Sequence, residues 1–251
     1  MTLPRILIIT PFRNEAHSLP HYLTALYHLE YPPELIDVYW LENDSTDNTL
    51  ELLNAVANRM PFRSTTLQSI ELIGGAKKRA PGEYCKDIEY TIPLRCPPWI
   101  RIWNEYFIPK IQESDSNYIL MWYADTITSM DVVTEYLKVF KEKPDAGWVG
   151  GGIYRRYPRE RELTSPFPMN ITYSDKIEEA YYVGHCWMMP KEAATKLSMW
   201  NIVPQLTGPI RDIHISLIEG LKKQGLKVYY QPSIFLQHVS TDGIIYTTSL
   251  E

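Results

Sequence analysis

Residues 5–15 read RILIITPFRNE and residues 36–47 read IDVYWLENDSTD. In each, an apolar run rich in β-branched or aromatic residues stops abruptly at a polar, turn-forming stretch. Continuous apolarity, without the alternation of a half-exposed strand, predicts strands covered on both faces, as in parallel sheets. Between them, residues 15–29 carry Leu19, Leu23, Leu26 and Tyr27 at helical spacing, and Tyr31-Pro32-Pro33 ends that helix. Strand, helix and strand in close succession is the rhythm of right-handed crossovers in an α/β sheet.

The same rhythm continues outward. A helix is expected over residues 49–60, a strand over 66–73, a helix over 99–112 despite Pro109, a strand at YILMWY (118–123) and a helix over 131–141. Residues 74–98, with Lys77, Lys78 and Arg79, lack a clear period. Farther on, strands are expected over 148–154, 181–189 and 226–230. Helices are expected over 191–200 behind Pro190 and over 212–224, the latter closed by Gly225. Residues 155–173 read as a Pro-rich loop. The expected fold is α/β, one domain of two halves: residues 1–130 bind a nucleotide and residues 131–251 cover the open edge of the sheet.

The chain has 251 residues, 45% hydrophobic and 22% charged, which is ordinary globular usage and argues against disorder. Its 25 Lys+Arg against 30 Asp+Glu give a net charge of −5. Duplex nucleic acid is thereby excluded as an expected partner, because it needs a clustered basic excess. Cys85, Cys96 and Cys186 form no CxxC spacing, so neither a disulfide framework nor a structural zinc is expected. No apolar run approaches the roughly 18 residues of a membrane span, and the opening residues are too soon interrupted for a signal peptide. A cytoplasmic protein without a membrane span is expected.

In open parallel sheets, ligands lie beyond the carboxyl ends of the strands. The segments found there are Thr10-Pro11-Phe12-Arg13-Asn14-Glu15, Glu42-Asn43-Asp44-Ser45-Thr46-Asp47 and Ala124-Asp125-Thr126. Arg211-Asp212-Ile213-His214 and His238 follow near the C-terminus. Each alone has an ordinary structural explanation: Ser45 or Thr46 as a helix cap, Asp125 as a turn residue, His238 as a satisfied histidine.

In this order and spacing, TPFRNE, ENDSTDNT and the strand ending in Tyr123-Ala124-Asp125 resemble a GT-A glycosyltransferase. The resemblance is to the family 2-like group, with ENDSTDNT similar to Anp1-type mannosyltransferases. It implies a GT-A fold: a Rossmann-like, mostly parallel sheet flanked by helices, with a mixed acceptor-side part. It also implies transfer of a hexose from a UDP- or GDP-sugar to a hydroxyl of a glycan, lipid or protein, with inversion and with Mn²⁺ or Mg²⁺ as cofactor. On that resemblance Thr10, Pro11, Arg13 and Glu15 line the nucleotide pocket, Asn43 reads the base beside Glu42, and Arg101 reaches the diphosphate. Asp125 matches the last carboxylate of Asp-x-Asp, and His238 a late histidine that completes the metal site. Asp212 matches the catalytic base, with His214 as its alternative, and Gly184, His185 and Trp187 fall on the acceptor side. One departure stands out: Tyr123 replaces the first Asp of the motif. It keeps open a degenerate GT-A domain that binds nucleotide or glycan without turnover. A sugar nucleotidyltransferase is disfavoured because TPFRNEAHS has no glycine for a phosphate loop.

Overall fold

A computed structural model describes residues 2–72, 96–154, 163–165, 176–199 and 214–239 of the chain. The elements run β1 (Ile6–Phe12), α1 (Leu19–Tyr27), β2 (Ile36–Asn43), α2 (Thr49–Ala57), β3 (Ser64–Ile70) and α3 (Cys96–Arg101). A π-helical turn (Ile102–Phe107) leads into α4 (Ile108–Glu113), then come β4 (Tyr118–Trp122), β5 (Thr126–Ile127) and α5 (Val132–Glu142). The rest comprises β6 (Ala146–Tyr154), β7 (Leu163–Ser165), β8 (Glu178–Ala180), β9 (Cys186–Pro190), α6 (Lys191–Ala194), α7 (Ile215–Lys223) and β10 (Lys227–His238).

One sheet joins both halves of the sequence, in the order β3-β2-β1-β4-β9-β6-β10-β5. Strands β3, β2, β1 and β4 are parallel, while β9 runs antiparallel between β4 and β6. From β1 the chain first winds towards β2 and β3, then crosses to the other side as β4. The crevice between the carboxyl ends of β1 and β4 is thus the switch point at which such sheets bind ligands.

Alternation along β1 explains why it reads as apolar throughout. Ile6 and Ile8 pack into a core with Leu19, Tyr22 and Leu26 of α1 and Val132, Tyr136 and Val139 of α5. Leu7 and Ile9 pack into a second core on the opposite face, with Trp103, Phe107 and Ile111 and with Leu217 and Leu221 of α7. Pro11 is tolerated on the β4 side because β4 pairs with β1 only as far as Ile9↔Met121, so no ladder bond there needs the missing N–H. The helix expected across Pro109 does form, and the turn just before it is π-helical. That widening gives room to a residue that can neither donate to a preceding carbonyl nor clear it sterically.

Three expectations are corrected. The last strand does not end at Tyr230 but continues to His238, past Pro232, through a register irregularity between Tyr230 and Phe235. A bulge there lets the strand pass a residue that has no N–H to give. The strand expected over 181–189 begins only at Cys186, and α6 is a single turn, Lys191–Ala194. Helix α7 starts at Ile215 with His214 at its N-cap, while Gly225 follows it at φ 73°, a backbone conformation natural to glycine. Lys77, Lys78 and Arg79, Asp212 and most of residues 155–173 lie outside the described residues.

Candidate functional site

The loops after β1 and β2 are zipped together by side chains bonding to backbone. The Asn14 N–H donates to Ser45 Oγ at 3.0 Å, and the Thr46 N–H donates back to Asn14 Oδ1 at 2.7 Å. The Glu15 N–H reaches Thr49 Oγ1 at 2.8 Å, and the Ala16 N–H reaches Asp47 Oδ2 at 3.2 Å. Asn14 and Asp44 both take positive φ (56° and 51°), tolerable for these short polar residues. The polar ENDSTDNT stretch is therefore in large part a brace for the TPFRNE loop.

Several expected pocket residues are engaged in that bracing. Thr10 is wholly buried, its hydroxyl 2.7 Å from Tyr22 Oη, which also accepts the Trp40 indole N–H at 3.1 Å. This corrects Thr10 from pocket lining to core beneath the pocket; burial holds the Tyr22 phenol far above its ordinary pKa. Glu42 is also buried, accepting the Ser45 N–H at 2.9 Å and the Ser69 hydroxyl at 2.6 Å. Asn43 is 3% exposed and donates to Asp44 Oδ2 at 3.2 Å, and Asp44 accepts the Leu72 N–H at 3.1 Å. Arg101 donates to the Leu72 carbonyl at 3.1 Å and pairs with Glu105, which raises its pKa further. Both Asp44 and Arg101 are thereby brought to one rim, at the carboxyl ends of β2 and β3. Glu15 accepts the Ser18 hydroxyl at 2.7 Å, Pro11 is part-buried, and Arg13 stands exposed at the crevice.

A second cluster assembles past the end of β4. The pair β5–β10, with His238 opposite Thr126, sets His238 Nε2 2.9 Å from Asp125 Oδ2. On the other side, β9 pairs antiparallel with β4, Cys186 opposite Trp122, and the Tyr123 N–H donates to the His185 carbonyl at 2.9 Å. His185 has φ 64° and is bridged by a Cys186 N–H to Gly184 carbonyl bond of 2.8 Å, a strained three-residue turn. Its ring lies 4.7 Å from that of His238. One ligand atom each from Asp125, His185 and His238 falls within 4.8 Å of the others. Two imidazoles and a carboxylate at that separation suit a divalent transition metal.

Sequence reading places Asp125 and His238 in this cluster but puts His185 with the acceptor. A histidine interrupting an apolar run directly after Gly184 is its only local signal. Trp187 is corrected outright: it is fully buried, packed between Trp103 and Trp148, so no face of it is open to a sugar. Gly184 is buried as well, and a Cβ there would come within 2.5 Å of the Tyr182 hydroxyl. Gly150 and Gly151 likewise admit Val183 and the Ile234 backbone, not a ligand. The free thiol of Cys186 is buried, which pushes its pKa far up. The Tyr123 hydroxyl lies 2.7 Å from His214 Nε2, directed at the start of α7.

Comparison with known proteins agrees with this architecture. The Anp1 family model matches residues 2–84. Over 50 residues the chain is 44% identical to Procollagen galactosyltransferase 1 of Danio rerio, covering 20% of this chain and 8% of that protein. Over 49 residues it is 45% identical to the Mannan polymerase II complex anp1 subunit of Schizosaccharomyces pombe, covering 20% and 11%. Over 51 residues it is 41% identical to human Inactive glycosyltransferase 25 family member 3, covering 20% and 9%. The chain thus matches only about a tenth of the length of these relatives. Among solved structures, mannosyltransferase PcManGT from Pyrobaculum calidifontis, in complex with GDP-Man and Mn²⁺, superposes with a TM-score of 0.54 at 15% identity, over 94% of this chain and 57% of that one. S. aureus TarS 1–349 in complex with UDP gives 0.52 at 12% identity, over 90% and 60%. The fold is that of the GT-A glycosyltransferases, with an Anp1 resemblance in the first third of the chain.

Proposed function

We propose that this chain is a metal-assisted glycosyltransferase that moves a hexose from a UDP- or GDP-sugar to a hydroxyl of a glycan, lipid or protein. The observation that carries the reading is the meeting of Asp125, His185 and His238 beside the β1–β4 switch point of a GT-A sheet. A divalent ion held there would supply positive charge opposite the diphosphate leaving group. Asp125, His185 and His238 would hold it, Asp125 and His238 exchanging their hydrogen bond to each other for the ion. Asp44 and Arg13 would supply the polar rim for the nucleoside with Asn43 buried behind Asp44, and Arg101 would reach phosphate oxygens by giving up its pairing with Glu105. Asp212, by its resemblance, takes the proton of the acceptor hydroxyl, which corresponds to inversion. The similarity to PcManGT, which carries GDP-Man and Mn²⁺, supports this donor class.

A second reading, a GT-A domain that binds donor without turnover, is favoured by Tyr123 in the acidic motif and by the similarity to an inactive family 25 member. One experiment separates the two. UDP-, GDP- and dTDP-sugars are screened for hydrolysis and for thermal stabilisation, with Mn²⁺, with Mg²⁺ and with EDTA. A donor present at 100 times its Kd stabilises by about 2.7 kcal/mol. Turnover of one donor with Mn²⁺ that vanishes in EDTA supports transfer. Stabilisation without any hydrolysis favours the binding domain, and neither effect with any donor sinks both.

A further inference from the structure

We infer that Tyr123 and Tyr182 are positioning residues that clamp His214 through both ring nitrogens, and that Tyr123 acts on α7 and not as a stand-in metal ligand. The Tyr123 hydroxyl lies 2.7 Å from His214 Nε2, and the Tyr182 hydroxyl 3.3 Å from Nδ1. His214 is 5% exposed, so these phenols replace water at both nitrogens. A neutral imidazole has one donor and one acceptor nitrogen, so the two phenols play opposite parts. Hydroxyl donors make shorter bonds than N–H donors. In this clamp the Tyr123 O–H donates to Nε2 and the Nδ1–H donates to the Tyr182 oxygen, the pairing in which the shorter contact has the hydroxyl donor.

The surroundings hold this arrangement in place. Tyr182 stacks on the imidazole with centroids 5.6 Å apart and planes 29° apart. Trp148 and Trp99 meet the ring edge-on at 6.1 and 6.2 Å. Gly184 is what lets Tyr182 in: a Cβ there would lie 2.5 Å from the hydroxyl oxygen and 3.0 Å from the ring carbon that bears it. Since His214 is the N-cap residue of α7, the clamp fixes the start of that helix against the end of β4. It joins the acidic-motif position to the segment that bears the acceptor-side chemistry, and it leaves His214 no nitrogen open for an acceptor hydroxyl.

The kinetic part of this inference rests on the glycosyltransfer reading; the tautomer and the metal affinity do not. The test records the His214 ring nitrogens by long-range ¹H–¹⁵N correlation, above the ordinary imidazole pKa range, in wild type, Tyr123→Phe, Tyr182→Phe and Gly184→Ala. A His214→Gln variant assigns the signals. Wild type should show the Nδ1–H tautomer, and Tyr123→Phe should lose that preference. In Tyr123→Phe the Kd for Mn²⁺ should stay within about twofold, while kcat for donor hydrolysis falls on the order of 10-fold with KM unchanged. Gly184→Ala should reproduce the Tyr182→Phe spectrum. An Nε2–H tautomer in wild type, or a tenfold loss of Mn²⁺ affinity in Tyr123→Phe, overturns the inference. If Tyr123→Phe fails to fold, Tyr182→Phe and the wild-type tautomer decide. A wild type without turnover sinks the function proposed above, and the tautomer and Mn²⁺ measurements then decide this inference alone.

Discussion

Asn14, Asp44 and His185 are held at positive φ at the proposed site, and His185, the one without a short Asn/Asp side chain, carries the strain. His185 illustrates the consequence. The tight turn from Gly184 to Cys186 aims it at the metal cluster, so His185→Ala should weaken Mn²⁺ binding on the order of 10- to 100-fold. Asp125→Ala should weaken it at least as much, while melting temperatures of both variants stay near wild type. Isothermal titration with Mn²⁺ checks both, and a His185→Ala variant that binds Mn²⁺ normally would return His185 to the acceptor side. The proposed base is a different residue, Asp212. Asp212→Asn should lower turnover about 100-fold with donor affinity unchanged, because Asn keeps the size and polarity of Asp but takes no proton. Single-turnover rates beside donor binding decide it; normal turnover in Asp212→Asn removes Asp212 from the reaction.

At the scale of elements, opposite ends of the sheet do different jobs. At the amino ends of the parallel strands, Arg63 pairs with both Asp37 and Asp115, and Arg5 also pairs with Asp115. These residues precede or begin β1, β2, β3 and β4, so the ion pairs tie four adjacent strands together away from the site. Hydrogen bonding from Arg63 holds the Asp115 carboxyl below its usual range. A lowered carboxyl pKa contributes stability above the unfolded value of about 3.9, and that stability is lost as pH falls through the folded value. Asp115 is 52% exposed, so water screens the pair and its share is about 1 kcal/mol. Arg63→Ala should therefore unfold more readily than wild type at neutral pH, with the gap closing below about pH 4. Urea unfolding across that range is the measurement, and a gap that persists undiminished at acid pH would assign it to packing. At the carboxyl end, β6 and β10 lie so close that a Cβ on Gly151 would meet the Ile234 carbonyl at 2.4 Å. Backbone cannot swing aside as a side chain can. Gly151→Ala should cost about 1–3 kcal/mol as overpacking. Because β10 carries His238, it should also weaken Mn²⁺ binding, which a titration on the folded variant would show.

For the whole molecule, what matters is that one sheet brings distant strand ends to one crevice. Asp125 and His238 stand 113 positions apart in sequence, and Tyr123 and His214 stand 91 apart. The α/β class, the parallel strands β1, β2 and β4, and the polar segments after them were legible in the sequence. Each rests on a short-range cause: an apolar run long enough for one strand, an amphipathic period, a proline or glycine that ends an element. Asp125 and His238 as one site were legible only through a family resemblance, since no local pattern relates them. Thr10 and Trp187 could not be assigned to the core from sequence, because an apolar or hydroxyl side chain at a strand end reads the same whether it faces a pocket or a packed helix. Nor could the last strand be extended past Pro232, where the bulge is stabilised by β6 alongside. Local sequence thus sets the strands and the polar chemistry that caps each of them. Which caps meet is a matter of strand pairing: the antiparallel return of β9 beside β4 and the pairing of β10 with β5 bring His185 and His238 to Asp125, and those pairings depend on contacts between strands that no local stretch of sequence encodes.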